Sequence, residues 1–468
     1  MTRRAARHWI ALALLGAWAC RSPVPEEHAY TGRSTGGRSS MASGGAPTVS
    51  LGGTSAKPPG SGGRGGATGS QPEGGSTAVP EAGNGPTGGT GVGEGGAPAE
   101  PPPPTFTKAL LLEAVASCTL TELRDFVTLA RTLRQRTSEY AAEPSDAKRE
   151  AAREAYLAAM DALQVLEVFR FGPAARMSEE PAGRDLRDQI YAWPLGGRCN
   201  IETQLVSEAY ASASFATSLI NGRGFGALEY LLFYGASDNA CPDYSPLNSQ
   251  GQWAALGEAG LRERKARYAD AVASSVLSHA EALLAAWESG NYAVELTSAG
   301  TGESKTYASA QAALNAISNG MFYVEVEVKD LKLGVPLGLS PDCLATSCPE
   351  ALESRYAQIS SRNISQNLLG FSRLFQGCGK SGVTSLGFDD WLRSVAADDL
   401  AMRMQSALDG AKQAVAELPE PLESLLPKDP ARVRAVYDRL KVLTDLLKSE
   451  FVTVLELELP KSTEGDND

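Results

Sequence analysis

Glu229 is the residue around which chemistry in this chain would gather. It lies in Gly224-Phe-Gly226-Ala-Leu-Glu229-Tyr-Leu-Leu-Phe233, where it is the one charged residue. A helix apolar almost all round is buried. A carboxylate inside it must be protonated, ion-paired or metal-bound, because an unpaired buried charge is costly. The residue three positions earlier shares its helix face and could complete a metal site. That residue is Gly226, which has no side chain to offer. Glu167 and Glu353 could join Glu229 in an all-carboxylate cluster suited to hard cations or ferric iron rather than zinc. Arg355 and Asn367 could add anion or polar contacts in the same cleft. The plainer alternatives are a buried ion pair of Glu229 with Arg170, Arg223 or Arg355, and local caps or pairs for Glu167 and Glu353.

Histidine chemistry is nearly excluded by composition. The chain has 3 histidines. His8 falls in the leader, His28 in a low-complexity stretch, and His279 within Leu277-Ser-His-Ala-Glu-Ala-Leu283. A lone histidine at helical spacing reads as a surface or packing residue, and no His-Glu-x-x-His zinc motif exists. There is no serine nucleophile elbow. Gly222-x-Gly224-x-Gly226 follows no strand, so it is not a dinucleotide turn. The formal charge of −12 argues against a nucleic-acid partner.

The elements that must position these residues follow from composition and period. Residues 1–19 pair a basic start with a short apolar core and small residues before Cys20, as in a lipoprotein-type signal peptide with lipidation at Cys20. That predicts an exported outer-membrane lipoprotein, periplasmic or cell-surface. Residues 20–105 are Gly, Ser, Thr, Pro and Ala with few large apolar residues, which predicts a disordered linker. Such a tether spans roughly 50 Å. Of 7 cysteines, a lipidated Cys20 leaves Cys118, Cys199, Cys241, Cys343, Cys348 and Cys378 as disulfide candidates. Cys199 with Cys241 is the first expected bridge, and Cys343 with Cys348 could staple a local loop. Residues 461–468 form an acidic tail.

From 106 to 460 the period is helical almost throughout. Helices fit 108–137, 146–170, 201–220, 224–234, 251–288, 307–320, 350–376, 388–417 and 430–457. Gly172-Pro173 breaks the second. Val324, Val326 and Val328 alternate with acids, which by period alone is a strand. With no partner strand evident, helix is the expectation there.

The segment Gly-x-Gly-x-x-Glu-Tyr-Leu-Leu-Phe resembles the signature of the imelysin-like family, Gly-x-His-x-x-Glu ahead of the same apolar run, with Gly226 in the histidine position. Other matches follow in family order: Glu167-Val-Phe-Arg-Phe-Gly-Pro173, Trp193-Pro-Leu195, Lys332-Leu-Gly-Val-Pro-Leu-Gly338, Glu353-Ser-Arg-Tyr356 and Asn367-Leu-Leu-Gly370. The resemblance covers nearly all of 106–460. It implies an all-α fold of two packed helical bundles, with a boundary near 245–300 and a site between them. It also implies helix at 322–328. The site residues it points to are Gly224, Gly226, Glu229, Glu167, Glu353, Arg355 and Asn367, with Glu229 and Glu167 as metal ligands. The expected role is an accessory binding protein for iron, another divalent or trivalent cation or a metal-containing ligand, acting with iron-uptake proteins. Two alternatives stand beside it: an imelysin-type metallopeptidase, and a purely structural or interaction lipoprotein with a decayed site.

Overall fold

The computed structural model describes residues 106–193 and 197–463. The leader, Cys20, the linker, Pro194 and Leu195 of the Trp-Pro-Leu match and most of the acidic tail lie outside the described residues.

The described chain is helical, with no strand among the described residues. In chain order the principal helices are α1 (Lys108–Ala142), α2 (Asp146–Leu166), α3 (Cys199–Ser207), α4 (Phe225–Phe233) and α5 (Gly257–Trp287). They continue with α6 (Ala310–Met321), α7 (Ser360–Phe375), α8 (Phe388–Ser394), α9 (Asp398–Ala416) and α10 (Pro430–Leu446). Caps mark several starts. Thr107, Ser145, Ser309 and Asp429 each accept a hydrogen bond from a first-turn amide, satisfying donors that helix geometry leaves open.

Helices α1, α2, α4 and α5 form one bundle, and α7, α9 and α10 the core of the other. The two meet where α2 packs on α7. Glycine makes that approach possible. A Cβ on Gly370 of α7 would stand 2.4 Å from the Val165 carbonyl oxygen of α2. Gly370→Ala is therefore expected to destabilise the protein by about 1–3 kcal/mol. A lower urea midpoint with unchanged slope would show it, and an unchanged midpoint would mean that the helices separate freely.

Val324–Gly334 is a π-helix, so the helical expectation holds and the strand period misleads. The buried side is Val324, Glu325, Val328, Lys329, Lys332 and Leu333. Their spacing of four and five suits the wide π turn. Glu325 hides in that stripe because Lys448 (2.6 Å) and Lys329 (3.4 Å) neutralise it. An inward acid thus imitates the outward half of a strand.

Several expected boundaries need correction. The helix expected over 201–220 stops at Ser207 because Glu208 turns left-handed, with φ 55°. Short 3₁₀ turns follow it. The helix expected over 350–376 begins only at Ser360. Residues 388–417 divide at Ala396, with φ 61°. The second helix ends at Leu166, which frees 167–171 to run as loop toward the Gly172-Pro173 turn.

Three disulfides pair the six cysteines. Cys118 of α1 joins Cys378 just past α7, across 260 residues, and so ties one bundle to the other. Cys199 joins Cys241, and Cys343 joins Cys348. No helix among the described residues is long and apolar enough to cross a membrane.

Candidate functional site

Helix α4 carries Glu229 and is buried from Phe225 to Leu232. Its start is fixed by close packing rather than by a capping side chain. A Cβ on Gly224 would lie 2.9 Å from the Ile190 carbonyl oxygen and 2.8 Å from Ile220 Cδ1. Gly224 thus serves the approach of two backbones. Gly226, one turn before Glu229, is buried in the helix.

Glu229 is 3% exposed, and no cation neutralises it among the described residues. Its Oε1 instead accepts the backbone amides of Tyr356 (2.8 Å) and Ala357 (2.9 Å). The three arginines considered as partners are placed elsewhere. Arg170 pairs with Glu327, Arg223 donates to Ser218 and Gln189, and Arg355 donates to the Tyr356 hydroxyl. Burial pushes the Glu229 carboxyl up to about 8; the two amides oppose this, and the nearby Glu353 and Glu423 charges add to it. At neutral pH the group is mostly a neutral acid. With Oε1 taken by two donors, the proton belongs on Oε2.

Glu229 lines a small pocket of about 70 Å³. Trp193, Arg198, Ile201, Tyr230 and the stretch from Glu350 to Glu353 with Arg355 and Tyr356 complete its wall. Tyr230 and Tyr356 meet edge to face at 5.6 Å. Arg198 is committed to Glu202 at 3.2 Å and to Asp238. Arg355 is exposed, packs over Tyr356 at 4.9 Å and has no carboxylate partner among the described residues. The pocket thus offers a neutral acid, a guanidinium with no carboxylate partner among the described residues and aromatic faces, beside the carboxylates of Glu350 and Glu353.

A buried polar network, which reaches the pocket wall through Glu353, joins the two bundles. Glu353 accepts from Gln164 (2.9 Å), Tyr191 (2.8 Å) and Asn363 (2.9 Å). Lys332 reaches the same carboxylate at 3.0 Å and also donates to Gln164 and Asn367, each at 2.8 Å. Asn367 is fully buried there, donating to Gln164, and does not line the pocket. Glu167 is fully buried in a two-point pair with Arg187. Of the expected cluster, Glu229 and Glu353 line one pocket, whereas Glu167 is held apart by Arg187, and the three do not come close enough to share an ion among the described residues.

One grouping close enough to share an ion does occur among the described residues, Cys118, Glu122 and Cys378. Its two sulfurs are bonded to each other, and Glu122 pairs with Arg373 and Lys380. His279 is bonded to Ser275 within α5 and does not line the pocket.

The network residues Lys332, Gln164, Tyr191 and Asn363 were not singled out from sequence. Lys332 carried a usable signal, a lysine inside a helical stretch otherwise rich in apolar positions. The backbone amides that hold Glu229 carry no side-chain signature.

A sequence profile described as Imelysin matches residues 119–447. The chain belongs to the imelysin family. It is 24% identical over 335 residues to Iron-regulated protein A of Synechococcus elongatus, covering 70% of this chain and 81% of that protein. Two solved structures share the imelysin fold. One is described as an iron-regulated protein A precursor from Parabacteroides distasonis, with TM-score 0.57, 17% identity and coverage of 75% of this chain and 96% of that one. The other is an imelysin-like protein from Psychrobacter arcticus 273-4, with TM-score 0.54, 17% identity and the same coverage.

Proposed function

We propose that this imelysin-family protein is an exported, lipid-anchored accessory protein of iron handling. Its Glu229 pocket binds an anionic arm of an iron chelate, and the family's histidine site has become degenerate. The carrying observation is the pairing of an Arg355 that has no carboxylate partner among the described residues with a Glu229 whose Oε1 is taken by two amides. Arg355 supplies the charge that an anionic oxygen needs. The neutral Glu229 donates its Oε2 proton to the same group instead of repelling it. Support for iron comes from the relative named Iron-regulated protein A. Support for export comes from three disulfides, which persist in oxidising compartments. The basic-apolar leader ending at Cys20 supports the anchor, and iron-uptake proteins are the expected partners.

Ferric citrate is the probe. It is expected to raise the melting temperature of the purified chain, and Arg355→Ala to weaken its binding about tenfold or more, given the strength of charged hydrogen bonds. Zinc alone should produce no shift. If neither ferric citrate nor ferric or zinc ions shift the melting curve, the proposal fails and a purely structural lipoprotein is favoured. Chelator-sensitive peptide hydrolysis abolished by Glu229→Gln would instead establish the metallopeptidase.

A further inference from the structure

A second, much larger cavity of about 880 Å³ opens away from the Glu229 pocket. Its walls are the loop 170–180, the junction of α6 with the π-helix, and the C-terminal stretch 458–462. The first wall begins at Arg170, within the Glu-Val-Phe-Arg-Phe-Gly-Pro segment that the site above uses only through Glu167, and continues past it to Glu180. Gly320 brings the first two walls together. A Cβ there would stand 2.7 Å from the Val168 carbonyl oxygen and 3.3 Å from the Arg170 amide. Arg170 is thereby held at the cavity wall with its side chain 10% exposed.

The guanidinium of Arg170 is only partly used. Nη1 donates to Glu327 at 2.7 Å. Nη2 lies 3.7 Å from Glu179, beyond hydrogen-bond range. Nε is buried and has no partner among the described residues. The side-on pair Nε–Nη2 is the edge of arginine that matches a carboxylate with two parallel hydrogen bonds. Here that edge is open. Glu179 hovers beside it, half exposed and held otherwise by Arg176 at 3.2 Å. Phe322, Tyr323, Val326, Leu459 and Pro460 give the same cavity an apolar and aromatic lining. Polar and charged side chains make up the rest of the wall, so the cavity sets one partly unpaired cationic fork beside an apolar and aromatic patch, a pairing that suits a small molecule with one anionic end.

We propose that this cavity binds an aromatic carboxylate. The acid displaces Glu179 to bond Nε and Nη2 of Arg170, and the ring body lies against Phe322 and Leu459. This site is independent of the Glu229 pocket and of the reading given for it.

Fluorescence titration of the full chain with 1-pyrenebutyrate, against 1-pyrenebutanol as the uncharged control, tests it. The acid should bind saturably and about tenfold or more tighter than the alcohol, as a charged hydrogen-bond pair requires. Glu179→Gln removes the competing carboxylate at an exposed position and should tighten the acid about threefold or more, leaving the alcohol unchanged. Arg170→Lys keeps a cation beside Glu327 but removes the fork, and should cost the acid about tenfold. If that variant melts early, the Glu179→Gln result decides. Equal binding of acid and alcohol, no saturable binding of the acid, or an acid affinity that Glu179→Gln leaves unchanged or weaker would overturn the proposal.

Discussion

Glu229→Gln should make this protein more stable at pH 8 and leave it nearly unchanged at pH 4. The ordinary carboxyl value is 4.5, and in the folded protein it is pushed up to about 8. Below 4.5 both folded and unfolded chains carry the proton, so Glu229 contributes no pH dependence. Between 4.5 and 8 the unfolded chain releases the proton while the folded chain keeps it. Rising pH therefore favours unfolding across that window, and the loss levels off above it. A gap of this size corresponds to about 5 kcal/mol at its full extent. Glutamine does not ionise, and its carbonyl oxygen still accepts the amides of Tyr356 and Ala357. Urea unfolding at pH 4, 6 and 8 would read the difference. A variant less stable than the parent at pH 8, or a difference flat with pH, would mean that Glu229 is charged and neutralised by something this geometry does not contain.

Lys332→Met should be the most damaging single change in the interior. It strips Glu353 of its only cation among the described residues and leaves the Asn367 carbonyl oxygen without its donor, while Gln164 keeps the bond from Asn367. Breaking a buried pair from one side costs about 3–5 kcal/mol, because the remaining charge stays buried without compensation. Following it with Glu353→Gln should recover a large part, since Tyr191 and Gln164, which share one oxygen of the carboxylate, can still bond a neutral amide oxygen. A double-mutant cycle on unfolding free energy isolates the pair from the rest of the network. Additive losses would show that the two groups do not sense each other. The cost falls on stability and on bundle docking together, since Gln164 belongs to α2 and Asn367 to α7.

These two residues also show what sequence could and could not deliver. The apolar run around Glu229 made its burial legible, and the missing histidine was plain at Gly226. How the burial is tolerated was not legible, because the answer is two main-chain amides brought from 127 and 128 residues away. Glu167, Glu353 and Asn367 were legible as important but not as distinct. Fold matches in a helical protein mark residues that lock helices together as readily as residues that meet a ligand. Here Glu353 and Asn367 belong to the lock, and Glu167 to a separate pair with Arg187. Helix content was readable from period, whereas the break at Glu208 depends on a left-handed residue that no glycine or proline announces. The π-helix shows the opposite failure, where a neutralised inward acid gave a strand-like period.

The Glu229 pocket has one further property, which concerns when it comes into being. One side rests on Arg198 and Ile201, at the start of the helix that Cys199 pins to Cys241. The other rests on Glu350 to Tyr356, directly after the loop that Cys343 and Cys348 close. Both sides thus depend on sulfur bonds made after synthesis, and a third such bond clasps the bundles that the pocket lies between. A newly made chain in a reducing environment holds every residue of the pocket without holding its shape. Under the exported role proposed above, the two sides of the pocket are therefore fastened only after oxidation.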